Sequence, residues 1–338
     1  MTAYENLCQL AREIALLGSS ASVLGWDQET YMPQKAVAYR AQQIALLETR
    51  AHALATGARF RKLLDAAEQE AFKKQSTRAA NLREWRHQLE RASRIPSALV
   101  SRLSEASSLA KQAWTEARKR SDFALFAPHL ETLVDLSRRK IDLLGYADEP
   151  YDALLESYER GARTRAISKL FSALAPDISK LAQKAVRRSA SEQARLPRGT
   201  YPIADQQTLN REIAQSLGFD LEAGRVDTTT HPFCTTLGPS DVRLTTRYDE
   251  ADFTSSLLGV LHEAGHGLYE QGLPAAEFGL PSGTAVSLGI HESQSRLWEN
   301  HVGKSAAFWN RWFPRAQELF KPLRKTSQET FLKALHKA

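Results

Sequence analysis

Residues 262–266 read His-Glu-Ala-Gly-His, and this is the part of the chain whose residue types and spacing best suit chemistry. On a helix, positions four apart lie on one face about a turn apart, so His262 and His266 can grip one metal ion. Glu263 projects beside them and can take a proton from a water that the metal activates. Phe253, Leu257, Val260, Leu261, Ala264 and Leu268 give this helix a buried side. Gly265 and Gly267 weaken it by roughly 1 kcal/mol each and let another backbone approach closely. The pattern alone does not decide the matter. With 9 histidines in 338 residues, chance produces it in roughly one or two chains per hundred. Two unrelated histidines on a surface helix are the plainer alternative.

A catalytic zinc ion takes three protein ligands and keeps one position open. Glu292 follows His262 by thirty residues, inside a second helical stretch. The intervening LPAAEFGLPSG is loop enough to fold one helix back against the other, so that Glu292 faces both histidines. His291 competes for that place. Successive helical residues point about 100° apart, so only one of the two should reach the ion.

The elements that must position these residues are mostly helices. Apolar residues recur with helical period over 3–18, 35–55, 60–94, 97–119, 123–144, 163–189, 206–217, 250–271 and 284–301. Pro96 and Pro128 punctuate the run and Gly145 closes one helix. Between about 219 and 250, Thr, Val, Gly and Pro replace the good helix formers. There Val242, Leu244 and Thr246 alternate with Arg243, Thr245 and Arg247, which suits one short strand. The expected fold is mostly α, with a cleft and a small β element near the active site. Residues 1–338 are expected to form a single, two-lobed domain.

Composition narrows the function classes. Apolar residues make up 42% and charged residues 25%, an ordinary globular balance. Two cysteines, Cys8 and Cys234, exclude a disulfide framework and suit a reducing compartment. The N-terminal stretch carries Glu5, Arg12 and Glu13, so it reads as an amphipathic helix rather than a signal peptide. No run approaches the roughly 20 apolar residues of a membrane span. The expectation is a cytoplasmic protein with no membrane partner. Net charge is +6, but the basic residues of Lys73–Arg94 and Arg187–Arg198 read as solvated helix faces, so no nucleic-acid partner is expected.

Six segments in order over nearly the whole chain resemble the carboxypeptidase Taq family of zinc metallocarboxypeptidases. They are LGWDQETYMP (24–33), YDALLESYERG (151–161), GRVDTTTHPF (224–233), DVRLTTRY (241–248), HEAGHGLYEQG (262–272) and HESQSRLWEN (291–300). The resemblance implies an all-helical, cleft-containing fold, often a homodimer, that removes single residues from the C-terminus of peptides. It implies one Zn2+ per chain, with Co2+ as the alternative, held by His262, His266 and Glu292, and Glu263 as general base. It maps the family's substrate-handling motifs onto His231, Pro232, Phe233, Asp241, Arg243 and Thr245. A carboxypeptidase also needs a cation for the terminal carboxylate, and a guanidinium supplies two parallel hydrogen bonds. Arg243, Arg247 and Arg296 are the candidates, each with a structural salt bridge as the plainer alternative. His231 and Arg243 stand as the substrate-binding expectation. Trp26, Asp27 and Glu29 are expected to serve helix packing.

Members of that family continue beyond the point where this sequence stops, so it resembles a C-terminally shortened member. The expectation is a complete site for binding metal and activating water, with a reduced grip on the peptide. Losing one preorganised donor commonly costs about 100- to 1,000-fold in rate. Apolar faces left uncovered should invite aggregation or association. The alternative function is a truncated remnant that binds metal with little or no turnover.

Overall fold

The computed structural model describes residues 1–191 and 195–336. The chain divides into two compact units, one of 1–154, 235–241 and 272–285, the other of 155–234, 242–271 and 286–338.

The first unit is built from helices α1 (Ala3–Thr30), α2 (Val37–Thr56), α3 (Ala58–Glu68), α4 (Thr77–Ala92), α5 (Ser97–Arg120) and α6 (Ala127–Leu144). A capping box starts α1: the Thr2 hydroxyl accepts from the Glu5 amide and the Glu5 side chain accepts from the Thr2 amide. The helix runs twelve residues past the predicted end at 18, because Ala21 and Trp26 are buried and carry it onward. Asp27 pairs with Arg40 at 2.7 Å and Glu29 with Lys111 at 2.6 Å, so this motif serves packing, as expected. The predicted helix 60–94 is in fact two, with Ser76 capping α4 through the Ala79 amide. Tyr4, Leu7, Leu10, Phe60, Leu64, Leu82 and Trp85 form the core of this unit.

A short turn of helix, α7 (Asp152–Leu155), closes the 1–154 stretch of the first unit. The second holds α8 (Thr164–Ser191), α9 (Ile203–Ser216), α10 (Phe253–Gln271), α11 (Leu288–Arg296), α12 (Ala306–Leu319) and α13 (Gln328–Leu335), with a π-helical segment over Leu297–Val302. Its core is aromatic: Tyr201, Phe253, Trp309, Phe320 and Phe331 are fully buried, with Leu209, Ile213, Leu257 and Leu261 between them. The Phe253 and Phe320 rings lie 4.6 Å apart.

Where one strand was predicted there are three, β1 (Gly224–Thr228), β2 (Cys234–Gly238) and β3 (Asp241–Thr246), in the order β1-β3-β2. β1 and β3 are parallel, with Arg225 opposite Arg243 and Asp227 opposite Thr245. Val242 and Leu244 are buried with Phe219, Val260 and Ala264, which seats β3 against α10.

α8 differs from its neighbours. Leu170, Phe171, Leu174, Ile178, Leu181 and Val186 are between 45% and 68% exposed, an apolar row of the kind expected to invite association. Cys8 and Cys234 are free thiols. Among the described residues, no helix is long and apolar enough to cross a membrane. The fold is mostly helical with a small sheet, as the residue pattern led us to expect.

Candidate metal centre

α10 carries its chemistry on a helix that is otherwise core. Ten of its 19 residues are buried, Glu263 among them. Its two central glycines have the use expected of them. A Cβ on Gly265 would meet the Gln294 carbonyl oxygen at 2.5 Å and the Ser295 Cα at 2.6 Å, so α11 lies backbone-to-backbone on α10. A Cβ on Gly267 would meet the Phe219 ring at 2.7 Å and Leu244 at 2.9 Å, so the other side of α10 is closed against β3. The start of α11 is fixed three ways. The Ser287 hydroxyl accepts from the Ile290 amide, while the amides of Leu288 and Gly289 donate to the Tyr158 carbonyl and the Glu159 carboxylate.

This contact brings three candidate ligand atoms together. His262, His266 and Glu292 each offer one atom, and these lie within 4.8 Å of one another. Glu292 Oε2 stands 3.2 Å from His266 Nε2 and 3.7 Å from His262 Nε2. His291 is turned away: its Nε2 meets Glu270 Oε1 at 2.8 Å and its ring stacks on His266, centroids 4.5 Å apart. Of the two candidates for third ligand, it is Glu292 that faces the histidines.

A carboxylate absent from the sequence reading completes the picture. Glu299 Oε2 lies 2.8 Å from His262 Nδ1, on the ring edge opposite Glu292. Arg296 spans the two acids, its Nε 2.9 Å from Glu292 Oε1 and its Nη1 3.1 Å from Glu299 Oε2. Glu292, Arg296 and Glu299 follow one another at four and three residues, a single helical face. That spacing was the available signal.

The donor set fits a cation. The Glu299 carboxylate at His262 Nδ1 takes up that edge of the ring and turns Nε2 toward the Glu292 carboxylate. Burial holds the His266 imidazolium down to about 4, with help from His291 and His262, so this ring is neutral. Two imidazole nitrogens and a carboxylate oxygen thus face one another at 3.2 and 3.7 Å, a donor set suited to a divalent ion between them. For Glu292, burial works upward, but Ser295, His262 and Arg296 outweigh it and hold the carboxyl below its ordinary value. Glu263 goes the other way. Burial, then the charges of Glu292 and Glu299, push it up to about 8. One acid is kept ionised while the proton affinity of its neighbour is raised toward the neutral range, the division of labour that acid–base chemistry needs.

The remaining expected residues sit on or beside the sheet. Thr245 Oγ1 accepts from the Phe233 amide at 2.8 Å and donates to the Phe233 carbonyl at 2.9 Å, tying the HPF turn to β3. Arg243 is half-buried on β3, while His231 and Arg247 are exposed. Asp241 is half-buried at the start of β3.

Comparison with known proteins gives this geometry a lineage. The profile of the carboxypeptidase Taq (M32) metallopeptidase family matches residues 6–338. The chain belongs to that family. It is 42% identical to thermostable carboxypeptidase 1 of Thermus thermophilus over 97% of its own length and 67% of the relative's. It is 34% identical to carboxypeptidase 1 of Bacillus subtilis, over 91% of this chain and 62% of that protein. The crystal structure of the M32 carboxypeptidase from Deinococcus radiodurans R1 superposes with a TM-score of 0.87 at 37% identity, covering 98% of this chain and 67% of that one. The chain thus spans about two thirds of the length of the relatives it matches. Membership of a metallopeptidase family implies a divalent metal, and the relatives' names place the chain in a carboxypeptidase lineage.

Proposed function

We propose that this chain is a zinc metallocarboxypeptidase that releases C-terminal amino acids from peptides. The observation that carries the reading is the convergence of His262, His266 and Glu292 within 4.8 Å, with the carboxyl of Glu263 buried on the same helix. His262 and His266 would supply neutral nitrogens and Glu292 a carboxylate oxygen, a two-histidine, one-carboxylate set that suits zinc, with cobalt as the substitute. Zinc bound there would activate water and polarise the scissile carbonyl. Glu263 takes the proton of the attacking water and returns it to the leaving amine.

Arg243 and His231 are proposed to meet the substrate, with Arg243 as the cation for the terminal carboxylate. Arg296 is held in ion pairs with Glu292 and Glu299. The free thiols of Cys8 and Cys234 support a cytoplasmic location. A homodimer, suggested by the family resemblance, and a single functional domain over 1–338 belong to the same proposal. A remnant that binds metal without turnover is not favoured, since the relatives are named as carboxypeptidases.

The test is release of C-terminal amino acids from N-blocked dipeptides by the zinc-loaded protein, with metal content measured in parallel. Glu263→Gln should keep the metal and lose about 100-fold or more of the rate. Undiminished turnover in Glu263→Gln would remove that residue from the mechanism.

A further inference from the structure

Glu299 stands behind His262, and the chain is built to keep it there. It lies in the π-helical segment Leu297–Val302, which follows α11 without a break. Such segments are rare and are frequently found at functional sites. This one ends at Gly303, where a Cβ would meet Leu261 Cδ1 at 2.5 Å, so the segment closes on α10 one residue before His262. From behind, the fully buried Trp309 donates its indole N–H to the Gly303 carbonyl at 2.8 Å. Packing on both sides of Gly303 therefore sets where Glu299 points.

The chemistry of the contact is directional. A carboxylate accepting the Nδ1 proton of an imidazole fixes its tautomer and ring plane and raises the basicity of Nε2. His262 has this partner at 2.8 Å. Among the described residues His266 has none, its Nδ1 being buried with no hydrogen-bond partner there. The two histidines are therefore unequal, and only one carries a carboxylate behind it.

We propose that Glu299 is a positioning residue that holds His262 as a metal ligand. Arg296 bridges it to Glu292, so that one guanidinium keeps both carboxylates in register on their shared face. The inference rests on the metal-site reading above, and it assigns the residues after the His-Glu-Ser motif a task of their own.

The experiment measures zinc affinity by competition with a chromophoric chelator for wild type, Glu299→Ala and Glu299→Gln, alongside melting of the metal-free proteins. Glu299→Ala should bind zinc about 10- to 100-fold more weakly. Glu299→Gln, which can still accept the Nδ1 proton but lacks the charge, should fall between it and wild type. Metal-free melting should not drop in parallel, and the visible absorption of the cobalt-loaded variants should change as the ligand field at His262 changes. Should Glu299→Ala fail to fold, the glutamine variant carries the comparison. Zinc affinity equal to wild type in both variants, or a loss matched by an equal loss of metal-free stability, would overturn the positioning role. Absence of zinc binding by wild type would instead overturn the metal site itself.

Discussion

Glu263→Gln should make the metal-free protein more stable, and increasingly so as pH rises. Glu263 is 5% exposed, and its carboxyl is raised from an ordinary 4.5 to about 8, first by burial and then by Glu292 and Glu299. Below pH 4.5 the group is protonated in both folded and unfolded chains and costs nothing. Between 4.5 and about 8 the unfolded chain releases the proton while the folded chain keeps it, so stability falls by about 1.4 kcal/mol per pH unit. Above that window both states are ionised and the penalty is complete, on the order of 5 kcal/mol. Glutamine has the shape of the protonated acid and does not titrate, so its curve escapes this slope. Urea unfolding of chelator-treated wild type and variant should therefore show a gap that widens by about 3 kcal/mol from about pH 5.5 to about 7.5. Bound zinc should narrow the gap, because a nearby cation favours the carboxylate. A gap that is flat with pH, or a variant less stable than wild type at the alkaline end, would refute the claim that burial strains this residue.

Three further outcomes follow from the packing. Gly265→Ala should push α11 off α10, because its methyl would meet backbone at 2.5 to 2.6 Å; the expected cost is about 1–3 kcal/mol in urea unfolding, with weaker zinc binding as Glu292 retreats. Thr245→Val removes a buried hydroxyl that both accepts from and donates to Phe233, and should cost about 1–3 kcal/mol by the same assay. Leu174→Glu combined with Leu181→Glu breaks the exposed apolar row of α8. It should lower binding of a hydrophobic dye and reduce aggregation in light scattering while leaving zinc content unchanged.

The parts of the structure that were legible in the sequence are those written in local pattern. Helical period located most of the helices, and a four-residue spacing of His262 and His266 placed both rings on one face of α10. Gly265 and Gly267 announced close approach, and both are in contact with neighbouring backbone or core side chains. What was hidden depends on partners distant in sequence. α1 passes through Gly18, Ser19 and Ser20 because Ala21 and Trp26 are buried beyond them, and the Ser19 hydroxyl bonds the carbonyl of Leu237. β1 and β2 are five residues each and owe their existence to β3 rather than to strong strand propensity. Glu299 was missed because its meaning lies in His262, 37 positions away, and in a π-helical segment that no local pattern announces. Arg296 was read as a candidate for the substrate carboxylate with a structural salt bridge as the plainer alternative, and it forms ion pairs with Glu292 and Glu299.

The central claim is that one divalent ion is held by His262, His266 and Glu292. Crystals of the protein soaked in zinc, with diffraction data collected at the zinc absorption edge, test it most directly. The account predicts a single strong anomalous peak about 2.0–2.2 Å from His262 Nε2, His266 Nε2 and a Glu292 oxygen. A peak on any other set of side chains, or none at this one, would contradict it.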